Sequence, residues 1–165
     1  MYNNYGVGFM YSNELVCDII DFIDNNINKK ISIEDISLKF NYNRYYIMKL
    51  FKKELNLSIN NYINIKRIHD SLPEYHNDIS ILNIALKHGF YYQEYYTEIF
   101  IKIIGINPTT YRNYIKNNII SNKEFIILRN NLINISNIFE KIKDYQNNKK
   151  PKIVNQSLSI FKTLK

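Results

Sequence analysis

The chain has 165 residues and a mass of 19.8 kDa, which is enough for one ordinary domain with a tail. Hydrophobic residues make up 45% of it, including 15 tyrosines and 9 phenylalanines, and this content excludes disorder of the whole chain. A single cysteine excludes an internal disulfide and a cysteine-based zinc site, and the three histidines show no paired spacing, so we expect neither a metal nor a cofactor.

The sequence has no apolar run of the ~18 residues that a membrane helix needs. Its first residues have no basic flank and no small-residue cleavage site, so we expect no signal peptide and no membrane contact. The expected location is the cytoplasm.

The net charge of +7 favours a polyanionic partner, and its distribution along the chain is uneven. Residues 30–70 carry eight basic and four acidic side chains, for a net charge of +4. Residues 78–116 carry four basic and three acidic side chains, for +1, and residues 117–165 carry nine and three, for +6. Because a charged run is usually only a solvent-exposed face, charge alone does not identify the partner.

The first third of the chain has the residue spacing of helices. After Ser12, one long helix is predicted by apolar residues that recur every three or four positions, namely Leu15, Val16, Ile19, Ile20, Ile23 and Ile27. Ser32 and Asp35 form a capping-box pattern that starts a short helix, and Asn41 stands where a tight turn requires a left-handed residue. Asn43 is predicted to cap the next helix, whose inward face holds Ile47, Leu50 and Phe51.

A connecting helix follows, and then the same layout returns. Ser58 is predicted to cap the connecting helix, and Pro73 is expected to end or kink it. Asp78 or Ser80 opens a second short helix, which Gly89 ends in a turn. The last two predicted helices run from Tyr92 to about Ile103 and from Asn107-Pro108 through Tyr111.

Two parts of the chain correspond to each other at a nearly constant offset. Ile36 corresponds to Ile84 at an offset of 48, and Phe51 corresponds to Phe100 at an offset of 49. Two copies of a short helix, a turn and a longer helix are the layout of two helix-turn-helix units. Strand-like alternation occurs only at residues 125–128, so the sequence predicts an all-α fold.

With these positions aligned, residues 13–115 resemble the DNA-binding domain of the AraC/XylS family of bacterial transcription regulators. That family's pattern is I-A-x-x-x-G-F before a recognition helix, followed by F-x-x-x-x-G-x-x-P-x-x-Y-R. In this chain the pattern is matched by Ile84, Ala85, Gly89, Phe90, Phe100, Gly105, Pro108, Tyr111 and Arg112. The resemblance implies a first unit at about 32–55, a linker helix at about 58–72 and a second unit at about 79–104.

The resemblance further implies a protein that binds double-stranded DNA and regulates transcription, with RNA polymerase as a second partner; an activator is expected, and a repressor stays open as the alternative. The sequence has no recurring nucleophile motif and no glycine-rich phosphate loop, so we do not expect an enzyme. A recognition helix presents side chains from its N-terminal half to the major groove. The candidates for base contacts are Arg44, Tyr45, Met48 and Lys49 in the first unit and Gln93, Glu94, Tyr95 and Glu98 in the second. Lys49 suits guanine, Gln93 suits adenine, and Glu94 suits the amino group of cytosine.

Other residues are candidates for contacts with the phosphate backbone. Helix starts offer backbone N–H groups at Ser58 and at Asn107 and Thr109. The charged candidates are Lys39, Lys52, Lys53, Arg67, Lys87 and Lys102. Each also has a simpler interpretation, since an exposed basic residue on a helix more often contacts nothing.

The sequence departs from the family pattern in the second unit and in the linker. Glu98 stands where a basic residue is common, and Ile101 interrupts the usual basic pair with Lys102. Pro73 falls inside the usual linker helix, and Glu74 and Tyr75 replace a usual pair of leucines. These departures leave open a second hypothesis, a protein-interaction module derived from such a regulator.

The C-terminal extension, residues 116–165, lies outside the resemblance. A helix over about 122–146 is predicted by apolar residues with alternating spacings of three and four, namely Phe125, Leu128, Leu132, Ile135, Phe139 and Ile142. The simpler interpretation is a helix packed on its own domain, and the alternatives are a homodimer contact or the remnant of an effector domain. The basic segment after Asn147 is expected to be loose, with residues 153–161 extended. We expect His69, His76 and His88 to be surface or turn residues.

Overall fold

The computed structural model describes the backbone of residues 7–149 and the side chains of residues 13–149. This part of the chain is helical and contains no strand. The helices are α1 Val7–Asn25, α2 Ile33–Phe40, α3 Arg44–Leu55, α4 Ile59–Ser71, α5 Ile81–Lys87, α6 Gln93–Ile104, α7 Pro108–Asn117 and α8 Asn122–Lys149. A short 3-10 helix, Leu72–His76, joins α4 to α5. The all-α prediction is confirmed, and residues 125–128, where the sequence shows strand-like alternation, belong to α8.

Most helix ends lie where short-range sequence signals predict them. The hydroxyl of Ser32 accepts a hydrogen bond from the Asp35 backbone at 3.1 Å, and the Asp35 carboxylate accepts one from the Ser32 backbone at 2.8 Å, which completes the capping box. Asn41 adopts the left-handed conformation with φ of 56°. The exception is α1, which begins at Val7, so that Ser12 lies inside the helix and not at its start.

Two separate hydrophobic cores confirm the two-unit prediction. The first core lies under the first unit and contains Val16, Ile19, Ile20, Ile23, Ile36, Ile47, Phe51, Ile59 and Tyr62. The second lies under the second unit and contains Ile68, Tyr75, Ile84, Ala85, Tyr96, Phe100, Ile104 and Tyr111. Phe51 and Phe100, which correspond in the repeat, are fully buried in different cores.

Pro73 ends the linker helix as expected, and the residues after it enter the second core. α4 stops at Ser71, and Pro73 lies in the first turn of the 3-10 helix. Tyr75 is fully buried, and its hydroxyl lies 2.9 Å from the hydroxyl of Tyr96, which is also 2.9 Å from Ser71 Oγ. The buried hydroxyls satisfy one another, so a tyrosine is accommodated where the family has an apolar residue.

The apolar side of α8 packs on its own domain. Leu128 and Ile135 are buried in the second core, Ile142 is buried in the first, and Phe139 packs against both. Phe125 is partly exposed, with its ring centroid 5.9 Å from that of Tyr114. This packing agrees with the simpler interpretation of the helix, and most of its apolar seam is covered by the protein's own two cores. Residues 148 and 149 of the tail that was expected to be loose belong to α8, and the rest of that tail lies outside the described residues.

His88 is a turn residue, as expected, but it is not exposed. It lies at the C-cap of α5, in the turn, but its side chain is buried. Its Nε2 is 3.8 Å from Glu74 Oε1, which is too long for a hydrogen bond, and neither ring nitrogen has a hydrogen-bond partner. Burial lowers the pKa of His88 below its ordinary value of 6.5, although the carboxylate of Glu74 opposes the shift.

The first prediction concerns the docking of α8 at Gly105. Gly105 is left-handed with φ of 86°, and a Cβ there would overlap Ile127 Cγ2 and Asn131 Nδ2 of α8. We expect Gly105→Ala to lower the free energy of unfolding by about 2–4 kcal/mol, measured by urea denaturation, from backbone strain and the clash together. Asn118→Ala is the matched control, since Asn118 is also left-handed but exposed, and it should cost only about 1 kcal/mol. Equal losses in the two variants would contradict the close packing of α8.

The second prediction follows from the buried, neutral ring of His88. The unfolded chain takes up this proton at a higher pH than the folded chain does, so the contribution to stability is complete above about pH 6.5 and is lost as the pH falls. We expect the free energy of unfolding to decrease between pH 7 and pH 5, and to decrease less in His88→Leu. His76→Leu, at an exposed position, is the matched control for the change of residue type. An unchanged dependence in His88→Leu would show that His88 is not the group responsible.

Candidate nucleic-acid interface

The first recognition helix, α3, has one buried and one exposed side. Asn43 caps it, with Oδ1 accepting a hydrogen bond from the Tyr45 backbone at 2.9 Å. Ile47, Leu50 and Phe51 anchor the buried side in the first core. The exposed side carries the four expected residues together, Arg44, Tyr45, Met48 and Lys49.

Arg44 is held by neighbours on the same surface. Its Nη1 donates to Glu34 Oε1 at 3.1 Å, and its Nη2 donates to the hydroxyl of Tyr45 at 2.9 Å. The Arg44 guanidinium also lies 4.8 Å from the centroid of the Tyr45 ring. Glu34 therefore places an acidic group beside the interface. The sequence gives no signal for this pair, because Glu34 is ten residues from Arg44 and on another helix.

Tyrosines are exposed around the starts of both recognition helices. Near α3 the rings of Tyr42 and Tyr46 stack with centroids 5.5 Å apart, and both are exposed, as is Tyr45. Near α6 the exposed tyrosines are Tyr91, Tyr92 and Tyr95. Of these six, only Tyr45 and Tyr95 are among the predicted site residues. A tyrosine ring can contact a sugar or a thymine methyl, and its hydroxyl can donate to a phosphate.

The second recognition helix, α6, has the same two-sided arrangement. Tyr96, Ile99 and Phe100 are buried, while the exposed side carries Gln93, Glu94, Tyr95 and Glu98. The hydroxyl of Tyr95 accepts a hydrogen bond from Asn64 Nδ2 of α4 at 3.4 Å. Two carboxylates thus lie on the exposed side of α6, whereas that of α3 carries Lys49.

The expected lysine contacts lie on the surface, and several have neighbours within the protein. Lys39 and Lys102 are exposed. Lys52 Nζ donates to the Asn56 carbonyl at 3.1 Å, and Lys53 Nζ is 4.0 Å from the Glu54 carboxylate. Lys87 Nζ donates to Glu74 Oε1 at 2.5 Å, which together with other contacts lowers the pKa of Glu74. All of these lysines are exposed, so a phosphate can reach them.

The two predicted helix starts are capped by their own side chains. Ser58 Oγ accepts a hydrogen bond from the Asn61 backbone at 3.2 Å. Asn107 Oδ1 accepts one from the Thr110 backbone at 2.8 Å, and Thr109 is exposed beside it. Each cap uses one of the free N–H groups at the start of its helix and leaves the others.

Arg67, which was expected to contact phosphate, is hydrogen-bonded within the protein. Its Nε donates to the Ile27 carbonyl at 2.8 Å, and its Nη2 donates to the Lys29 carbonyl at 2.6 Å. The guanidinium also lies 5.7 Å from the centroid of the Phe90 ring. Burial lowers the pKa of Arg67. The side chain is thus a link between elements of the fold.

Two small cores, each under a short helix, a turn and an exposed longer helix, define a tandem helix-turn-helix protein. A family model described as a helix-turn-helix domain matches residues 36–114. The multiple antibiotic resistance protein MarA of Salmonella typhimurium is 30% identical over 97 residues, covering 57% of this chain and 75% of MarA. The HTH-type transcriptional activator AarP of Providencia stuartii is 25% identical over 118 residues, covering 68% of this chain and 87% of AarP.

Solved structures show the same fold. The C-terminal domain of AraT, a response regulator from Geobacillus stearothermophilus, superposes with a TM-score of 0.58 at 22% identity, over 66% of this chain and 88% of that one. A regulator with an AraC-type DNA-binding domain from Chromobacterium violaceum gives a TM-score of 0.57 at 20% identity, over 64% of this chain and 96% of that one. The chain belongs to the AraC-type helix-turn-helix family of transcription regulators. The family is one of DNA-binding proteins and not of enzymes. No helix within residues 7–149 is long and apolar enough to cross a membrane.

Proposed function

We propose that the chain binds specific sites on double-stranded DNA by placing α3 and α6 in two successive major grooves, and that it activates transcription from those sites. The observation that carries this proposal is the matched two-sided burial of the two helices. Each is anchored in its own core through Phe51 or Phe100, and each leaves the side chains of its N-terminal half exposed.

The exposed residues divide into base and backbone contacts. In the proposed complex the base contacts come from Arg44, Tyr45, Met48, Lys49, Gln93, Glu94, Tyr95 and Glu98. The backbone contacts come from Lys39, Lys52, Lys53, Ser58, Lys87, Lys102, Asn107 and Thr109. Arg44 pairs with Glu34 through one of its five N–H donors, so it can turn its remaining donors toward a base or a phosphate when DNA arrives.

The two units have unequal charge and therefore unequal roles. Residues 30–70 carry a net charge of +4, whereas residues 78–116 carry +1. Neutralisation of phosphates provides most non-specific affinity, so the first unit anchors the protein and the second discriminates between sequences. As an activator the protein works beside RNA polymerase, and as a bacterial DNA-binding protein it works in the cytoplasm.

The third prediction separates base contacts from phosphate contacts. A specific duplex is first obtained by selecting wild-type binding sites from a random pool. Lys49→Ala should weaken binding to this duplex by about 1–3 kcal/mol and relax the protein's preference at one base position. Lys53→Ala should lower the affinity for specific and random duplexes alike and reduce the slope of log affinity against log salt by about one. Identical effects of the two variants on both kinds of duplex would argue against base recognition by α3.

A second candidate function is favoured by one observation, the exposure of Glu98 and Ile101 on α6. An acidic and an apolar residue on this surface suit a protein partner better than DNA.

The fourth prediction discriminates between the two candidates with Glu98→Arg. If α6 faces DNA, this change should tighten binding to specific and scrambled duplexes and steepen the salt dependence, because it removes a repulsion and adds a contact. Glu140→Arg is the matched control, since Glu140 is exposed on α8 and the change in charge is the same. Unchanged affinity in Glu98→Arg, or an equal gain in both variants, would favour the protein-interaction module.

A further inference from the structure

The two units are joined by more than the linker helix, and the first additional link is Arg67. Its guanidinium donates to the carbonyls of Ile27 and Lys29, which lie between α1 and α2 in the first unit. Hydrogen bonds from a charged donor to a carbonyl are among the stronger ones in proteins. A side chain from α4 is therefore fixed to the first unit at two points.

The same guanidinium packs against the turn of the second unit. A Cβ at Gly89 would lie 3.0 Å from both Cζ and Nε of Arg67, and Gly89 has φ of 79°. The Phe90 ring centroid is 5.7 Å from the guanidinium carbon. Because Gly89 has no side chain, the guanidinium of Arg67 can pack directly against the turn of the second unit.

The second additional link is α8, which contacts one unit with each half. In its N-terminal half, Leu128 and Ile135 are buried in the second core, and Asn131 Nδ2 donates to the Ile104 carbonyl at 3.0 Å. In its C-terminal half, Ile142 is buried in the first core.

Polar contacts fix the C-terminal half of α8 to the first unit. The hydroxyl of Tyr145 lies 3.2 Å from both Glu54 Oε2 of α3 and Asn13 Oδ1 of α1. Gln146 Nε2 donates to Asp21 Oδ1 at 2.9 Å.

Phe139, near the middle of α8, packs against both cores. Its ring centroid is 4.8 Å from that of His69 on α4. His69 and Arg67 project from different faces of α4, because successive residues of a helix turn by about 100°. The two links thus approach the linker helix from different sides.

These contacts restrict the relative movement of the recognition helices. α8 is one uninterrupted helix of 28 residues, which is about 42 Å long at 1.5 Å per residue. It lies beyond residues 36–114, to which the family model is matched.

We infer that Arg67 and α8 together form a brace that holds α3 and α6 at one separation and orientation, so that the protein accepts DNA half-sites at one spacing. Arg67 acts as a positioning residue in this brace. The DNA part of the inference rests on the proposed function, and the brace itself does not. One added base pair turns the second half-site by about 34° and moves it by about 3.4 Å, which a rigid protein cannot follow.

The first experiment measures the brace without DNA. Spin labels on Lys49→Cys and Glu98→Cys, both exposed, report the distance between α3 and α6 by pulsed electron paramagnetic resonance, while native Cys17 is buried. The distance distribution should be narrow in the otherwise native chain and clearly broader after Phe139→Ala or Arg67→Met. Ile133→Ala, on the exposed side of α8, is the control and should leave it narrow. Distributions that stay narrow in both test variants overturn the inference.

Loss of folding is separated from loss of the brace. Each variant is checked by circular dichroism and thermal melting, and Arg67→Lys, which keeps the charge and a donor, should give an intermediate width. If Arg67→Met does not fold, Phe139→Ala and Arg67→Lys decide the result. If the distance distributions of Arg67→Lys and Phe139→Ala are as narrow as that of the chain with Arg67 and Phe139 in place, the inference is overturned.

The second experiment measures spacing on DNA selected from a random pool, with the native residues at 49 and 98. One base pair inserted between the half-sites should weaken wild-type binding about tenfold or more, and this penalty should shrink to about threefold in Arg67→Met and Phe139→Ala. A purely structural defect would instead lower affinity for both spacings by the same factor, and that result overturns the inference. If the wild type selects no DNA, the proposed function fails, and the distance measurement still decides whether the brace exists.

Discussion

Each recognition helix has to bury one side and leave the other free, and this requirement limits the core that each unit can form. Only Ile47, Leu50 and Phe51 of α3 are buried, and α6 has a similarly narrow buried side. Units of this size bury a small fraction of their surface and are marginally stable alone. Stability therefore depends on helices that flank the two helix-turn-helix segments: α1 contributes Val16, Ile19, Ile20 and Ile23 to the first core, and α8 adds apolar residues to both cores.

Features that depend on neighbouring residues could be predicted from the sequence. Helix caps at Ser32, Asn43 and Ser58 satisfy backbone groups within three residues, and the left-handed turn at Asn41 depends on that residue's own conformational preference. The repeat also identified the two cores, because Phe51 and Phe100 occupy equivalent places. The spacing of the apolar residues in α8 predicted the helix but not the surface on which it packs. Apolar residues have the same spacing whether the helix packs on another chain or on its own domain.

Features that depend on contacts between distant residues were missed. The positive charge of Arg67 suggests a phosphate contact, and only the fold shows that its guanidinium can reach the carbonyls of Ile27 and Lys29. The burial of His88 and the pairing of Arg44 with Glu34 likewise arise from residues on different helices. The departures at Glu74 and Tyr75 have a similar explanation: Glu74 pairs with Lys87, and Tyr75 enters a hydroxyl network, so both substitutions are compensated within the second unit.

The brace bears on the unequal charge of the two units. A second unit with a net charge of +1 and two exposed carboxylates on α6 would bind DNA poorly if it moved independently. Once the first unit is bound, a rigidly attached second unit meets its half-site at a high effective concentration and loses little further freedom. Under these conditions a few contacts from Gln93, Glu94 and Tyr95 are sufficient to discriminate between sequences, because the affinity they lack is provided by the first unit. The same rigidity makes binding sensitive to spacing, because the second unit cannot reach a half-site at the wrong distance and the high effective concentration then adds no affinity.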